Sequence, residues 1–179
     1  MSEGLEKYRS TELLERIKNL AIRFWFLALI LAVAWSALIV LAPAAQAYGA
    51  SELSGSLYGF FSYICHQLPD RSFHIGEHKF GVCSRCTGVY FGLVAGLLIY
   101  PLFRKFNETR PFPRIWLILA MVPMAIDFSL TYFGYWENTH FTRVTTGLIL
   151  GIACSLFIVP ALAEIAELLL MKQRRRENV

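Results

Sequence analysis

The sequence predicts an all-α integral membrane protein, a four-helix bundle that forms a single domain over residues 1–179. Of its 179 residues, 56% are hydrophobic and only 17% are charged, whereas about 25% are charged in ordinary soluble domains. The chain also contains four stretches apolar and long enough to cross the roughly 30 Å hydrocarbon core of a bilayer. The predicted spans lie at about residues 21–42, 83–103, 115–133 and 144–163.

A short amphipathic helix is predicted before the first span. Ser10 is a suitable N-cap, and apolar residues recur on one face between residues 13 and 20. Such a helix fits the inner surface of the membrane. A secretory signal over residues 16–47 is the competing interpretation, but its apolar stretch exceeds the 7–15 residues typical of a signal core. We therefore expect an uncleaved anchor.

Lysines and arginines near the span ends predict the orientation. They concentrate before the first span, between the second and third spans, and after the fourth, on one side of a serpentine chain. The positive-inside rule makes this side cytoplasmic. We expect a multi-pass protein of the cell (inner) membrane with both termini in the cytoplasm and residues 43–82 outside. The basic residues are Lys7, Arg9, Arg16, Lys18, Arg23, Arg104, Lys105, Arg110, Arg114, Lys172, Arg174, Arg175 and Arg176.

The net charge of +4 does not predict nucleic-acid binding. The positive residues of the chain flank the apolar spans. Nucleic-acid interfaces typically have a basic stripe with interleaved aromatic residues, and this sequence has none. The predicted partner is instead the lipid bilayer, whose anionic headgroups attract such flanking cations.

The outer loop, residues 43–82, leads into a Cys/His-rich site. Cys83 and Cys86 are three residues apart at a helix start, so they share one face within a single turn. The helix N-terminus favours thiolates, which ligate metals. Cys65 and His66 complete the four ligands that a closed zinc site needs. Neighbouring Cys and His ligands are geometrically awkward, and the alternative fourth ligands are His74, His78 and His140.

The same thiols allow two other interpretations. Cys83 and Cys86 could form a catalytic dithiol, with Cys65 as its partner, or an ordinary structural disulfide. A disulfide would leave one of the three outer cysteines unpaired, which is unusual in an oxidising compartment. Cys154, midway along the fourth span, is predicted to be a small packing residue.

A polar pocket is predicted beside the thiols. Asp127 lies in the third span, where a charge costs about 2.5–3.5 kcal/mol, so it should face the bundle interior and have a partner. Arg143, at the start of the fourth span, is the expected partner. Either the pair holds two helices in register, or Asp127, Arg143 and Arg71 are catalytic residues. Arg71 and Arg143 would suit the phosphate or carboxylate of an anionic lipid or headgroup substrate.

Glycines recur every four residues on the second and fourth spans. Such small-xxx-small faces allow two helix backbones to approach closely. They predict a compact bundle with the Cys-x-x-Cys helix inside it. The residues are Gly88, Gly92 and Gly96 on one helix and Gly147 and Gly151 on the other.

Two segments carry a family resemblance. Residues 65–73 (Cys-His-Gln-Leu-Pro-Asp-Arg-Ser-Phe) and 82–92 (Val-Cys-Ser-Arg-Cys-Thr-Gly-Val-Tyr-Phe-Gly) resemble a family of small predicted prokaryotic membrane proteins, domain of unknown function 2085. The resemblance covers roughly residues 55–155 and implies a multi-span membrane protein with no established activity. Later residues also fit its pattern: Pro123, Asp127, Asn138, Arg143, Thr146, Gly147 and Gly151.

The chain is also similar in topology to the quinone-linked, disulfide-generating membrane proteins. Those are four-helix bundles with a Cys-x-x-Cys motif at the outer end of a helix, and the similarity implies a quinone cofactor. This chain departs from them because it lacks a second cysteine pair in its outer loops, so Cys65 alone would have to relay electrons.

Three functions follow from the sequence, and whether the protein is an enzyme stays open among them. The preferred one is a membrane protein with a zinc site at its extracytoplasmic face and an adjacent polar pocket. The second is a quinone-linked thiol–disulfide oxidoreductase that uses Cys83, Cys86 and Cys65. The third is a non-enzymatic accessory subunit of a larger membrane complex.

Overall fold

The computed structural model describes residues 2–106, 108 and 112–177, and only the backbone of residues 2–10, 174 and 177. Arg110, one of the predicted cytoplasmic cations, lies outside the described residues. The described part is almost entirely helical, with one short antiparallel hairpin of two-residue strands. The elements are α1 (Ser2–Ala47), α2 (Ser51–Ser62), β1 (His74–Ile75), β2 (His78–Lys79), α3 (Ser84–Phe103), α4 (Ile115–Tyr132) and α5 (His140–Glu177).

Among the described residues, four helices are long and apolar enough to cross a membrane, which confirms the predicted fold class. They contain the segments Thr11–Ala47, Ser84–Phe103, Ile115–Tyr132 and His140–Gln173. Two predicted spans, 21–42 and 144–163, each lie within one of these segments, and the other two match their segments to within one residue. That all residues form one domain stays a prediction.

The N-terminal segment continues into the first span. Because no glycine or proline interrupts residues 5–42, α1 runs unbroken from Ser2, and the predicted helix start at Ser10 is wrong. The apolar face of the segment packs inside the protein only in part: Ile17 is buried, whereas Leu14 is exposed. Just beyond it, Ala21 forms a cluster with Ala163 and Ala166 of α5.

Helices α3 and α5 pack closely along their glycine faces, as predicted. A Cβ added at Gly88 would lie 2.3 Å from the carbonyl oxygen of Val144, and one added at Gly151 would lie 2.1 Å from that of Val89. Real Cβ atoms do not approach backbone oxygens so closely. The two backbones therefore touch only because these positions lack side chains.

Helix α4 lies at the periphery of the bundle. It packs against α5, yet Ala120 and Asp127 are its only buried residues. Large apolar side chains cover the rest of its surface, as a lipid-facing helix requires. Asp127 is thus the one charged residue on this helix, and its carboxylate is buried.

The predicted outer loop 43–82 contains regular structure. Helix α2 buries Ser54, Leu57 and Phe61, and the Ser54 hydroxyl donates to the carbonyl oxygen of Ala42 at 2.9 Å. The hairpin formed by β1 and β2 follows, turning at Gly76 with a φ of 58°. The sequence missed both elements because they are short and half-exposed. Together they hold the chain against the end of α1.

Candidate metal centre

Three cysteine thiols meet at one end of the bundle, here called the thiol end. The Sγ atoms of Cys65, Cys83 and Cys86 all lie within 4.8 Å of one another, and all three residues are free thiols. Thiolates bound to one zinc ion at about 2.3 Å in a tetrahedron are about 3.8 Å apart. Small side-chain adjustments would therefore let these three cysteines ligate a single ion.

The start of α3 positions two of the thiols. Cys83 is the N-cap residue of α3 and has an extended backbone, and Cys86 follows in the first turn. The side-chain hydroxyl of Thr87 donates to the carbonyl oxygen of Cys83 at 3.1 Å, which fixes the cap. The backbone N–H of Cys83 donates to the Sγ of Cys65 at 3.2 Å, and this bond ties the third thiol to the pair.

Gln67 holds the turn that directs Cys65 toward α3. Its backbone is left-handed, with a φ of 49°, which is uncommon for a residue with a side chain. Two hydrogen bonds stabilise the turn: the Gln67 amide donates to the carbonyl oxygen of Tyr58 at 2.8 Å, and the Lys79 ammonium donates to the Gln67 carbonyl oxygen at 2.6 Å. Gln67 is buried. In the sequence Gln67 appeared only within the Cys-His-Gln segment of the family resemblance, because no periodic pattern marks a buried side chain in a turn.

The thiols have an apolar wall on one side. Cys65 is 7% exposed and forms a buried cluster with Ile39, Phe61 and Val82. Trp35 and Tyr90 pack against the same cluster. Hydrogen bonds from the Cys83 thiol, and then from the Cys86 thiol, hold the pKa of the Cys65 thiol well below its usual value. Such a thiolate is the form that binds metals.

A pocket of about 390 Å³ opens on the other side of the thiols. Three arginines line this pocket. Arg71 and Arg143 were predicted as pocket residues from the sequence, whereas Arg85 was not. Apolar side chains form its remaining edge. The lining residues are Ile64, Cys65, His66, Gln67, Leu68, Arg71, Cys83, Arg85, Cys86, Phe128 and Arg143.

The predicted pairing of Asp127 with Arg143 is wrong. Asp127 pairs instead with Arg85 of α3, whose Nη2 lies 2.6 Å from the Asp127 Oδ2. Asn138 connects the two systems: its amide donates to the same Oδ2 at 3.0 Å, and its Oδ1 accepts from the Arg143 Nε at 2.6 Å. Arg143 therefore reaches the carboxylate only through Asn138. Arg85 makes the direct contact because the glycine faces let α3 pack tightly against α5. This packing places the first turn of α3 beside α4.

The histidines are not part of the thiol cluster. Among the described residues, no histidine ring nitrogen lies within 4.8 Å of all three Sγ atoms. His66 is exposed and lines the same pocket, while the Nδ1 of His140 is 2.6 Å from the Ser84 hydroxyl. His74 and His78 lie on the hairpin and line a different cavity. The donor set thus fits zinc with three thiolate ligands and a fourth position that faces the pocket.

Arg85 could have been found from a general rule, whereas the role of Asn138 could not. A cation in the first turn of a membrane-spanning helix needs a counterion, and Asp127 is the only acid within the predicted third span. Asn138 appeared only as part of the family resemblance. Its role depends on the turn after α4, in which the backbone of Gly134 adopts a φ of 74°.

Comparisons with known proteins agree with the membrane fold and add no activity. Residues 65–157 match a family described as "Predicted membrane protein (DUF2085)". An uncharacterized protein of Methanocaldococcus jannaschii is 39% identical over 112 residues, which are 63% of this chain and 72% of the relative. An uncharacterized protein of Methanothermobacter thermautotrophicus is 39% identical over 92 residues, which are 51% and 81% of the two chains. No solved structure matches the chain.

Proposed function

The chain belongs to the DUF2085 family of predicted membrane proteins, and we propose that it binds zinc through Cys65, Cys83 and Cys86 at the extracytoplasmic end of its bundle. One observation carries the proposal: thiols from two segments, 18 residues apart along the chain, have their Sγ atoms within 4.8 Å of one another. Three thiolates ligating a single ion are a donor set typical of zinc.

The extracytoplasmic location rests on charge. Lys18, Arg104 and Lys105 lie together at the opposite end of the bundle from the thiols, where they line one cavity. The 20 residues of α3, at about 1.5 Å each, separate the two ends by roughly 30 Å. Under the positive-inside rule the end bearing these cations is cytoplasmic, so the thiols face outward.

We further propose that the pocket beside the thiols receives the anionic headgroup of a lipid. Arg71, Arg85 and Arg143 line it, and Asp127 offsets only one of their charges. A guanidinium group binds phosphate or carboxylate through paired donors, and the Arg85 Nε is buried without a hydrogen-bond partner among the described residues. Ile64, Leu68 and Phe128 supply an apolar edge for the chains of such a lipid.

The fourth ligand decides what the metal does. If the position were open, the ion held by Cys65, Cys83 and Cys86 would supply Lewis-acid chemistry and activate a water. The arginines of the pocket would hold an anionic substrate beside it. If His66 turns inward, the site is closed and the metal is a structural staple. A staple is what an accessory subunit of a membrane complex would need.

Metal analysis of the full chain, purified in detergent without chelators, tests the proposal. We expect about one zinc per chain, as for a single mononuclear site. Cys65→Ser and Cys86→Ser should each lose most of the metal, whereas Cys154→Ser, which changes a distant thiol, should keep it. Wild-type protein without zinc would refute the proposal. His66→Ala then separates the two coordination states, because only a closed site loses affinity.

The second candidate is a thiol–disulfide oxidoreductase, and the proximity of a third thiol favours it. Cys83 and Cys86 would form a disulfide, and the two electrons and two protons released would reduce a quinone to its quinol. Cys65 lies within 4.8 Å of both sulfurs and could exchange with that disulfide. Alkylation of the folded protein at neutral pH distinguishes this function: a disulfide yields its thiols on reduction without a chelator, whereas a zinc site yields them on chelation without a reductant.

A further inference from the structure

A second cavity lies at the opposite end of the bundle from the thiols, here called the basic end. It has a volume of about 710 Å³ and lies between the first turns of the membrane segment of α1 and the end of α3. The α1 side contributes Leu14 and Lys18, and the other side contributes Lys105. Cations and exposed apolar side chains share this cavity, so it sits where headgroups meet acyl chains.

An apolar cavity of about 490 Å³ adjoins it and extends between α3 and α5. The two cavities share Phe103 and Arg104 in their linings. Apart from Arg104 and the Tyr100 hydroxyl, the second cavity is lined by carbon. The lining residues are Gly96, Ile99, Tyr100, Phe103, Arg104, Phe112, Ile152 and Leu156.

The polar groups around these cavities suit an anion. Lys18 and Lys105 are exposed and have no ion-pair partner among the described residues, whereas Arg104 pairs with Glu108 and lies over the ring of Phe112. Glu15 is the one acid in the lining of the larger cavity. Two unpaired ammonium groups therefore face the space in which a headgroup would lie.

Tyr100 provides an independent sign of a missing partner. It is 1% exposed, and its hydroxyl is buried without a hydrogen-bond partner among the described residues. A buried hydroxyl without a partner is costly. Tyr100 lines the apolar cavity, so an oxygen of a lipid linkage at the wall of that cavity would supply the acceptor that this hydroxyl lacks.

We propose that the basic end binds one anionic membrane lipid, with its phosphate between Lys18 and Lys105 and one chain in the cavity between α3 and α5. The cationic cavity leads directly into the apolar one. This arrangement favours a lipid, which has both a charged headgroup and an apolar chain, over a soluble phosphate. The site is separate from the thiol pocket, so it does not depend on zinc.

Native mass spectrometry of the full chain, titrated with phosphatidylglycerol or phosphatidylcholine in detergent, tests the site. We expect one tightly retained phosphatidylglycerol and no comparable phosphatidylcholine. The double variant Lys18→Gln/Lys105→Gln should bind phosphatidylglycerol about 30-fold more weakly, since each lysine near anionic lipid contributes roughly fivefold. Ile99→Trp, which fills the apolar cavity, should also weaken retention.

Matched variants decide the outcome. Arg114→Gln/Lys172→Gln removes two exposed cations that line neither cavity, and it should leave retention unchanged. An equal loss in this control would mean nonspecific attraction and would overturn the proposal. So would displacement of the lipid by an excess of glycerol phosphate, which would identify a free phosphate as the ligand. Unchanged thermal stability of the variants excludes misfolding as the cause of the loss.

Discussion

The Nη2 of Arg85 lies 2.6 Å from the Oδ2 of Asp127 and joins α3 to the peripheral helix α4. Both side chains are largely removed from solvent, with exposures of 21% and 9%. The pair adjoins the thiols, because Arg85 lies between Cys83 and Cys86 in the sequence and lines the same pocket. The ion pair therefore connects the position of α4 with the geometry of the candidate metal centre.

Asp127→Asn should destabilise the protein. The substitution preserves shape but leaves the Arg85 guanidinium without its counterion, and removing one partner of a buried pair costs about 3 kcal/mol. Thermal unfolding in detergent should show a clearly lower midpoint. Adding Arg85→Gln to the same protein should recover part of the loss, as expected for coupled residues.

Glu12→Gln is the matched control for this pair. It breaks the exposed Arg16–Glu12 ion pair, and exposed pairs contribute at most about 1 kcal/mol. If Asp127→Asn were no more destabilising than Glu12→Gln, the ion pair would not be what holds α4 in place.

Gly151→Ala should disrupt the packing of α3 against α5. The new Cβ would lie 2.1 Å from the carbonyl oxygen of Val89, and a backbone atom cannot rotate away. Overpacking of this kind typically costs about 1–3 kcal/mol. Gly59→Ala on α2 is the control, since nothing lies within 4 Å of its added Cβ. Equal thermal midpoints for the two variants would show that the close helix contact is absent in solution.

The local sequence pattern was sufficient to predict the four spans, because hydrophobicity and length alone determine which segments cross a bilayer. The glycine repeat likewise predicted close backbone approach at the second and fourth spans. The pairing of Asp127 was mispredicted, because the choice between Arg85 and Arg143 depends on the rotation of three helices about their axes. The structural role of Gln67 could not be predicted either, because its turn is held by contacts with Tyr58 and Lys79, which are distant in the sequence.

Zinc should protect three thiols from alkylation. In the folded protein in detergent without chelator, coordination should slow alkylation of Cys65, Cys83 and Cys86 by a small, membrane-permeant maleimide. Adding a strong chelator before alkylation should make these three thiols reactive without a reductant, because a metal site, unlike a disulfide, yields free thiols without reduction. Mass spectrometry of the labelled peptides measures this. Protection that is removed by a reductant and not by a chelator would support the disulfide interpretation.

The orientation of the bundle can be measured independently of the metal. The Ser84 hydroxyl lies 2.6 Å from the His140 Nδ1, so the first turns of α3 and α5 lie at the same end. The end of α4 meets them there, because Asn138 contacts Asp127. A reporter inserted in the turn after α4 therefore reports the compartment that the thiols face.

Alkaline phosphatase fused after Tyr135 should be active, since it requires an oxidising compartment to form its disulfides. A green fluorescent protein at the same position should be dark. The pattern should reverse for fusions after Gln173, at the other end of α5, because the positive-inside rule keeps the basic tail in the cytoplasm. Active phosphatase at the tail together with fluorescence after Tyr135 would place the thiols in the cytoplasm. In that reducing compartment a disulfide would not persist, so the zinc site would remain viable while the quinone-linked function would not.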